Sequence, residues 1–528
     1  MTFFPSLDEN GLPAKSLDLL RFGAEGLRMT LTSQHRTLRN VRTGILGLGL
    51  AAVWGMVPSQ GAPALTLQGP GVQPSDFRVT VFARNVDFPL GMVSLEDGSL
   101  LVAETKGTSF WNGNAGQLVR YVDTDQDGVA DGPGTVLHSG LPSGLTSLRK
   151  CGSLVFVTGQ GTGHPMWVLR AGVTPDAPLS LVGSLTVRYP TGGWEHPHSG
   201  LAVRPVAGKP GSCDLLFQVG SDQNFARTTR TAALGNTQIP GATGALAGDS
   251  IYLVTLTDHG TNVTATAPKQ LAKGLRNPAG FLFHPVSGDL YFNDNGIDGL
   301  VDANEPLSAD ELNVIPAAQI GSGGVPDFGF PDNYTEYRTG RIVGGNGVQP
   351  LFTFQPLPNP LTGSESEGPN EITFAPPGFP PGLNNGVFLG FHGKWALSGI
   401  PNEENPLVFA NLGTGQYFQF IGNGEPAVGH FDGLLSTDDS LFLSDLTGTG
   451  ATENSRSAGV IYQIRSLVAR RLSYEAGRNS IRFQWSRGGV LQHGPTATGP
   501  WSPLLSGTND WTLPMDAATT KSFYRVQF

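Results

Sequence analysis

Cysteine is nearly absent: 528 residues hold two, Cys151 and Cys213. No Cys-x-x-Cys-His segment occurs, which excludes covalently attached haem, and two thiols cannot build a disulfide-rich scaffold. They agree with either one disulfide or two buried thiols. Charge is also scarce, at 14% of residues, and its balance of −10 argues against a phosphate-binding surface and so against nucleic acid as a partner. Past residue 60, amphipathic helical runs longer than two turns are almost missing. What the chain has instead is 73 Gly and 40 Pro, the punctuation of short strands and tight turns.

The leader is of another character. Arg36, Arg39 and Arg42 precede the apolar run Ile45–Val57, and small and polar residues follow it. A basic flank, a short apolar core and a small-residue tail describe a secretory signal peptide within residues 1–62, with Met29 as an alternative start. The run falls short of the ~20 apolar residues of a comfortable membrane helix, although an uncleaved N-terminal anchor is the plain alternative. The expectation is a secreted or periplasmic protein with no membrane span once the signal is removed.

One pattern recurs six times: a turn residue, an apolar strand and a polar end. The copies are GSLLVAET (98–105), GSLVFVTG (152–159), CDLLFQVG (213–220), GDLYFNDNG (288–296), NGVFLGFHG (385–393) and DSLFLSDLTG (439–448). A unit this small cannot bury its own faces, so the copies must pack around a ring. The expected fold is all-β, a six-bladed β-propeller over 66–466, with ligands at the mouth where the polar strand ends gather. Residues 468–528 alternate apolar and polar positions in four or five short strands and read as a small C-terminal β-sandwich, an accessory module.

Several segments carry candidate chemistry. Asp123, Asp125 and Asp127 with Gly128 reproduce the first half of an EF-hand calcium loop, and Asp131 closes the segment, although Gly134 stands where the bidentate Glu belongs. The spacing predicts a calcium-stabilised loop, with a solvated acidic turn as the alternative. EHPHSGLAV (195–203) offers two histidines ahead of a strand, and GLRNPAGFLFHPVSGDLYFNDNG (274–296) joins an Arg-Asn pair to an acid/amide strand end. ADELNVI (309–315) and VFLGFHGKWAL (387–397) complete the set.

Together these segments resemble the glucose/sorbosone dehydrogenases, soluble sugar dehydrogenases that use pyrroloquinoline quinone (PQQ), over roughly residues 75–465. The resemblance implies His196, set by its distance to Leu201, as the catalytic base, rather than His198. Glu195 would orient its ring or touch the cofactor. Arg276, Asn277, Asn295 and Lys394 would bind PQQ, and the carbonyls of Gly296 and Ile297 would hold a Ca²⁺ that bridges to it. Glu311 would bind a structural calcium. Without the resemblance, the histidines read as loop residues, Arg276 as a buried structural residue and Glu311 as part of an exposed acidic loop. The implied activity is oxidation of a small sugar-like alcohol or aldehyde, with electrons passed to a diffusible acceptor. The chain departs from the family at GHFDG, where Gly429 and Phe431 replace two arginines that grip the cofactor. A non-catalytic binding propeller and a calcium-dependent lactonase, for which Asp294, Asn295 and Glu104 are possible ligands, are therefore the alternatives.

Overall fold

The computed structural model describes residues 65–111, 115–301, 305–361, 368–392, 407–421, 430–446 and 457–468, and six short strands beyond these. The leader, Lys394 and Gly429 lie outside the described residues. Within them the chain is all-β in a propeller-like arrangement, with one 3-10 turn at Pro74–Asp76 and no helix long and apolar enough to cross a membrane.

Each of the six recurring segments supplies the second strand of its own antiparallel sheet. These strands are Leu100–Lys106, Leu154–Gly159, Ser212–Val219, Leu290–Asp294, Gly386–Phe391 and Ser440–Asp445, and we number the sheets 1 to 6 in that order. They read as apolar runs rather than alternations because nearly every position is buried, on both faces. The first strands are Pro89–Ser94, Leu145–Cys151, Leu201–Pro205, Phe281–Phe283, Pro369–Phe374 and Gly433–Ser436. Each lies against the first strand of the next sheet, and the last returns to the first. Sheet 6 takes its outer strand, Phe77–Val86, from the beginning of the described chain, paired antiparallel with Gly459–Ser466, the strand that follows Ser440–Asp445.

Polar groups stitch neighbouring sheets together. Thr105 Oγ1 accepts from the amides of Gly144 and Leu145, Thr146 Oγ1 donates to the Ser199 carbonyl, and the Ser221 amide donates to the Arg276 carbonyl at 2.7 Å. Asn293 Nδ2 donates to the Asn370 carbonyl, Asn370 Nδ2 to Asp432 and Ser444 Oγ to the Leu90 carbonyl. Glycines make the approach possible. A Cβ on Gly200 would stand 1.8 Å from the Ala279 carbonyl oxygen, one on Gly280 2.5 Å from that of Asn370, and one on Gly433 1.9 Å from that of Leu90. Within the first strands, Arg149 of sheet 2 reaches Glu371 of sheet 5 at 2.7 Å, with both side chains largely buried.

Cys151 and Cys213 form a disulfide between sheets 2 and 3, resolving the two readings of the sequence. Its Cα–Cα separation of 6.5 Å lies in the usual range. The C-terminal residues form six strands, in two three-stranded sheets that share an apolar cluster around Phe483 and Leu491.

Gly200→Ala is expected to cost about 3 kcal/mol, the upper end for overpacking a close contact. Gly132→Ala, where an added Cβ meets nothing within 4 Å, is expected to cost almost nothing. Denaturant midpoints of the two variants check this contrast.

Candidate functional site

The ring encloses a cavity of about 470 Å³. Its lining includes Leu90, Thr146, Ser199, Ala279, Asn370 and Asp432, contributed by the openings of sheets 1 to 6 in order. His196, Arg276, Asn277, Asn295 and Gly296 line the same space, so the structure brings together most of the residues singled out in the sequence.

His196 sits in the loop before sheet 3 and is strapped to the end of its second strand. Its amide donates to the Ser221 carbonyl at 3.0 Å. Its Nδ1 lies 3.1 Å from that carbonyl and 2.8 Å from Ser221 Oγ, which itself donates to the Gln223 carbonyl. Both neighbours of Nδ1 therefore accept, which fixes the Nδ1–H tautomer and leaves the Nε2 lone pair as the acceptor. Burial, helped by the nearby Arg276 guanidinium, pushes the ring's pKa down to about 3. Glu195 does not take the orienting role expected of it: it is exposed and lies outside the cavity lining, and Ser221 holds the ring instead. His198 is fully buried, between the Tyr189 hydroxyl and the His164 carbonyl, and burial pushes it down to about 4.

Gly220 sets the spacing between His196 and Arg276. A Cβ there would lie 2.6 Å from the Arg276 carbonyl oxygen and 2.8 Å from His196 Cβ. The Arg276 and Asn277 amides donate to the two oxygens of Asp294, whose carboxyl burial pushes up to about 7. The guanidinium is held by Asn224 and, at 2.6 Å, by Asp298, so it is a positioned cation rather than a free one. Asn295 Nδ2 bridges the carbonyls of Asn277 and Pro369.

Around the expected calcium the picture is mixed. Gly296 donates its amide to Asp310, and a Cβ on it would lie 2.2 Å from the Ser308 carbonyl oxygen, so only glycine fits. The Ile297 carbonyl, expected as a calcium ligand, already accepts from the amides of Leu307 and Ser308. Glu311 is not on an exposed loop. It lies in the strand Asp310–Ile315, paired with Asp294, beside a pocket of about 20 Å³. That volume holds about one water-sized particle. Burial, with Asp294 close by, pushes Glu311 up to about 8.

Sheets 5 and 6 supply a wall that the sequence reading missed. Asp432 Oδ1 accepts from Asn370 at 3.0 Å and lies 2.9 Å from His392 Nδ1, and the His392 ring stacks on His430 at 4.3 Å. Burial opposes ionisation of Asp432, yet His392 and His430 hold its carboxyl below the usual range. Phe431 points the other way, fully buried and edge-on to Tyr462. The alternation of His430, Phe431 and Asp432 across a strand entry is the signal in the sequence that puts His430 and Asp432 on the opposite side from Phe431. Asp310, whose carboxyl burial raises to about 7, also lines the cavity unforeseen.

Away from the cavity, Asp123, Asp125 and Asp131 gather with their oxygens within 4.8 Å of one another. Asp127 does not join them in the expected way, because its carboxylate caps the Val129 amide. Glu104 is taken by Tyr121 and Gln117 within sheet 1, and both oxygens of Asp294 are spent on amides, so the lactonase reading loses two of its ligands.

No protein-family model matches the chain. Solved structures similar to it include the holo form of the PQQ domain of a pyranose dehydrogenase from Coprinopsis cinerea, at 15% identity over 77% of this chain and 99% of that one, with a TM-score of 0.49. A PQQ-bound aldose sugar dehydrogenase from Streptomyces coelicolor matches at 15% identity over 75% of this chain and 99% of its own, with a TM-score of 0.43. A putative glucose dehydrogenase from Thermus thermophilus matches at 15% identity, 74% and 99% coverage and a TM-score of 0.41. In sequence the chain is 33% identical over 145 residues to an uncharacterized protein of Borreliella burgdorferi, covering 26% of this chain and 33% of that protein. The chain spans about a third of the length of that relative.

The depressed histidine has a consequence for stability. His196 binds its proton far more weakly folded, at about 3, than unfolded, near 6.5, so its contribution is intact above about pH 6.5 and is lost as pH falls toward 3. His196→Gln is expected to flatten the fall in melting temperature between pH 6.5 and 4. Histidine ¹⁵N spectra at pH 5 are expected to show His196 still neutral.

Proposed function

We propose that the chain is a six-bladed β-propeller with an accessory C-terminal β-sandwich, acting as an exported, quinone- and calcium-dependent dehydrogenase of a sugar-like alcohol or aldehyde. The observation that carries the reading is one arrangement: the neutral His196, its Nε2 an acceptor, lines the same cavity as Arg276, Asn277 and Asn295. A cavity of about 470 Å³ lies within the range of small-molecule sites.

The donor set fits a quinone along one edge. Arg276 Nη1 and the Asn277 side-chain amide are not spent in the bonds that hold these residues, and both suit a quinone or carboxylate oxygen. PQQ, when bound with Ca²⁺, supplies a two-electron acceptor. The protein's share is proton handling and alignment. His196 Nε2 is placed to take the proton of the reacting hydroxyl, the hydride of the hydroxyl-bearing carbon being what a bound quinone would accept, and Ser221 keeps the ring in the tautomer that permits this. Asp298 and Asn224 hold the guanidinium in place, so its alignment costs no reorganisation. A diffusible acceptor would take up the electrons. The disulfide agrees with an oxidising compartment, secreted or periplasmic.

Two calcium positions belong to this reading. One is the pocket beside Glu311, the other the Asp123–Asp125–Asp131 cluster, where an ion would relieve the mutual repulsion of the acids. Calcium at a concentration 100-fold over its Kd is expected to stabilise the fold by about 2.7 kcal/mol per site. Asp125→Asn is expected to remove the share due to the acidic cluster, read as a smaller calcium-induced rise in melting temperature.

A second reading, a binding propeller without catalysis, is favoured by Phe431, which occupies the core where the resemblance calls for a cofactor-gripping arginine. Mixing the protein with PQQ and Ca²⁺ and following dye reduction over a sugar panel separates the two. The dehydrogenase reading expects turnover, lowered at least about 100-fold in His196→Ala. An unchanged rate in that variant removes His196 as base; no turnover and no quinone spectrum with the native chain leaves the binding reading. With one guanidinium rather than three among the described lining residues, the quinone is expected to be lost on dialysis.

A further inference from the structure

The seam where the ring closes holds a polar cluster that lies outside the cavity. Val86 ends the outer strand of sheet 6 and Pro89 opens sheet 1, so Asp87 stands in the link between two sheets. Glu104 and Lys106 sit two positions apart on the second strand of sheet 1 and so project from one face of it. The Thr105 amide between them donates to the Asp87 carbonyl at 3.1 Å, which ties the link to that strand.

Three side chains meet there. Lys106 Nζ lies 2.7 Å from Asp87 Oδ2 and 3.9 Å from Glu104 Oε2. The Asp87 and Glu104 side chains are 5% and 3% exposed, whereas Lys106 keeps 38%, which leaves a path by which a released water can escape. Ser457 Oγ donates to Asp87 Oδ1 at 2.7 Å. Tyr121 and Gln117 each hold one oxygen of Glu104. The apolar cluster of Phe88, Leu90, Phe110 and Leu446 begins at the residue after Asp87.

An ammonium beside one carboxylate needs only an ion pair; a second buried acid adds a place for its proton. Burial pushes Glu104 up from its ordinary value, so it takes up a proton more readily than an exposed acid does. Replacing a buried charge pair by a neutral amide also removes the desolvation cost of both charges. Amine and carboxyl held at contact react as parts of one molecule, with the entropy of their meeting already spent in folding.

We propose that Lys106 and Asp87 join in an isopeptide bond, with Glu104 as the proton carrier. Nζ gives a proton to Glu104 and attacks Asp87 Cγ. The Cγ–Oδ2 bond breaks, Oδ1 remains as the amide oxygen under the Ser457 hydroxyl, and the two hydrogens shed by the ammonium leave with Oδ2 as water. Nothing is oxidised or reduced. The amide fastens the link from sheet 6 to the second strand of sheet 1, a covalent bond at the seam in addition to the disulfide between sheets 2 and 3. It is independent of what the cavity binds.

The test digests the full chain, reduced and denatured after folding, with trypsin and weighs the peptides. No Lys or Arg lies between Arg84 and Lys106, and Arg120 is the next one after it. The bond blocks cleavage at Lys106, so a single peptide, Asn85–Arg120, is expected, lighter than its sequence by one water. Further cleavage at Glu96 and Glu104 is expected to release 97–104 and leave the two flanking pieces joined. Asp87→Asn is expected to give the same bridged peptide, its amide leaving as ammonia, while Lys106→Arg and Glu104→Gln give none. Free cleavage at Lys106 in the native chain overturns the proposal, even where a water is lost at Asp87, since that marks a succinimide. A bridged peptide at native yield in Glu104→Gln removes Glu104 as the carrier. The native digest decides the bond whether or not Glu104→Gln folds.

Discussion

The fold depends on how closely its innermost strands approach one another. At Gly200, Gly280 and Gly433 the backbone of one sheet meets a carbonyl of the next at a distance that leaves no room for a Cβ. A ring of sheets must close on itself, so a gap opened at one junction is shared by the others. The antiparallel pairing of Phe77–Val86 with Gly459–Ser466 then ties the beginning of the ring to its end. Closure is thus a product of small residues at the axis and of strand pairing at the rim.

The site inherits its geometry from the same junctions. His196 and Arg276 belong to different sheets, yet both bond to Ser221, and Gly220 allows the three backbones to crowd together. The carboxylates around them work as scaffold. Asp294 and Asp310 spend their oxygens on backbone amides, a use that orders the loops carrying Arg276, Gly296 and Gly368. Burial makes these acids reluctant to ionise, and the backbone amides together with the Arg276 charge work against that reluctance.

Much of this was legible in the sequence because repeated strands leave a repeated signature. The six segments correspond to six second strands, and GLRNP and the His196 loop lead to the cavity. The reading failed where the answer depends on what lies across the ring. Glu195 is next to His196 in sequence but faces solvent, while Ser221, 25 positions away, holds the ring. The Ile297 carbonyl is consumed by a turn whose partners, Leu307 and Ser308, no motif announces. Glu311 looked like a loop acid because its segment is polar, yet strand pairing places it opposite Asp294. Asp432 and His392 come from different sheets, and their partnership exists only once the ring is closed.

The ion pair between Arg149 and Glu371 carries a mechanical implication. It spans from sheet 2 to sheet 5, just beyond the residues Thr146 and Asn370 that line the cavity, and so stands across the axis like a bolt. The ring is thus braced through its middle as well as around its circumference, and a shift of one sheet is felt directly by the sheet opposite.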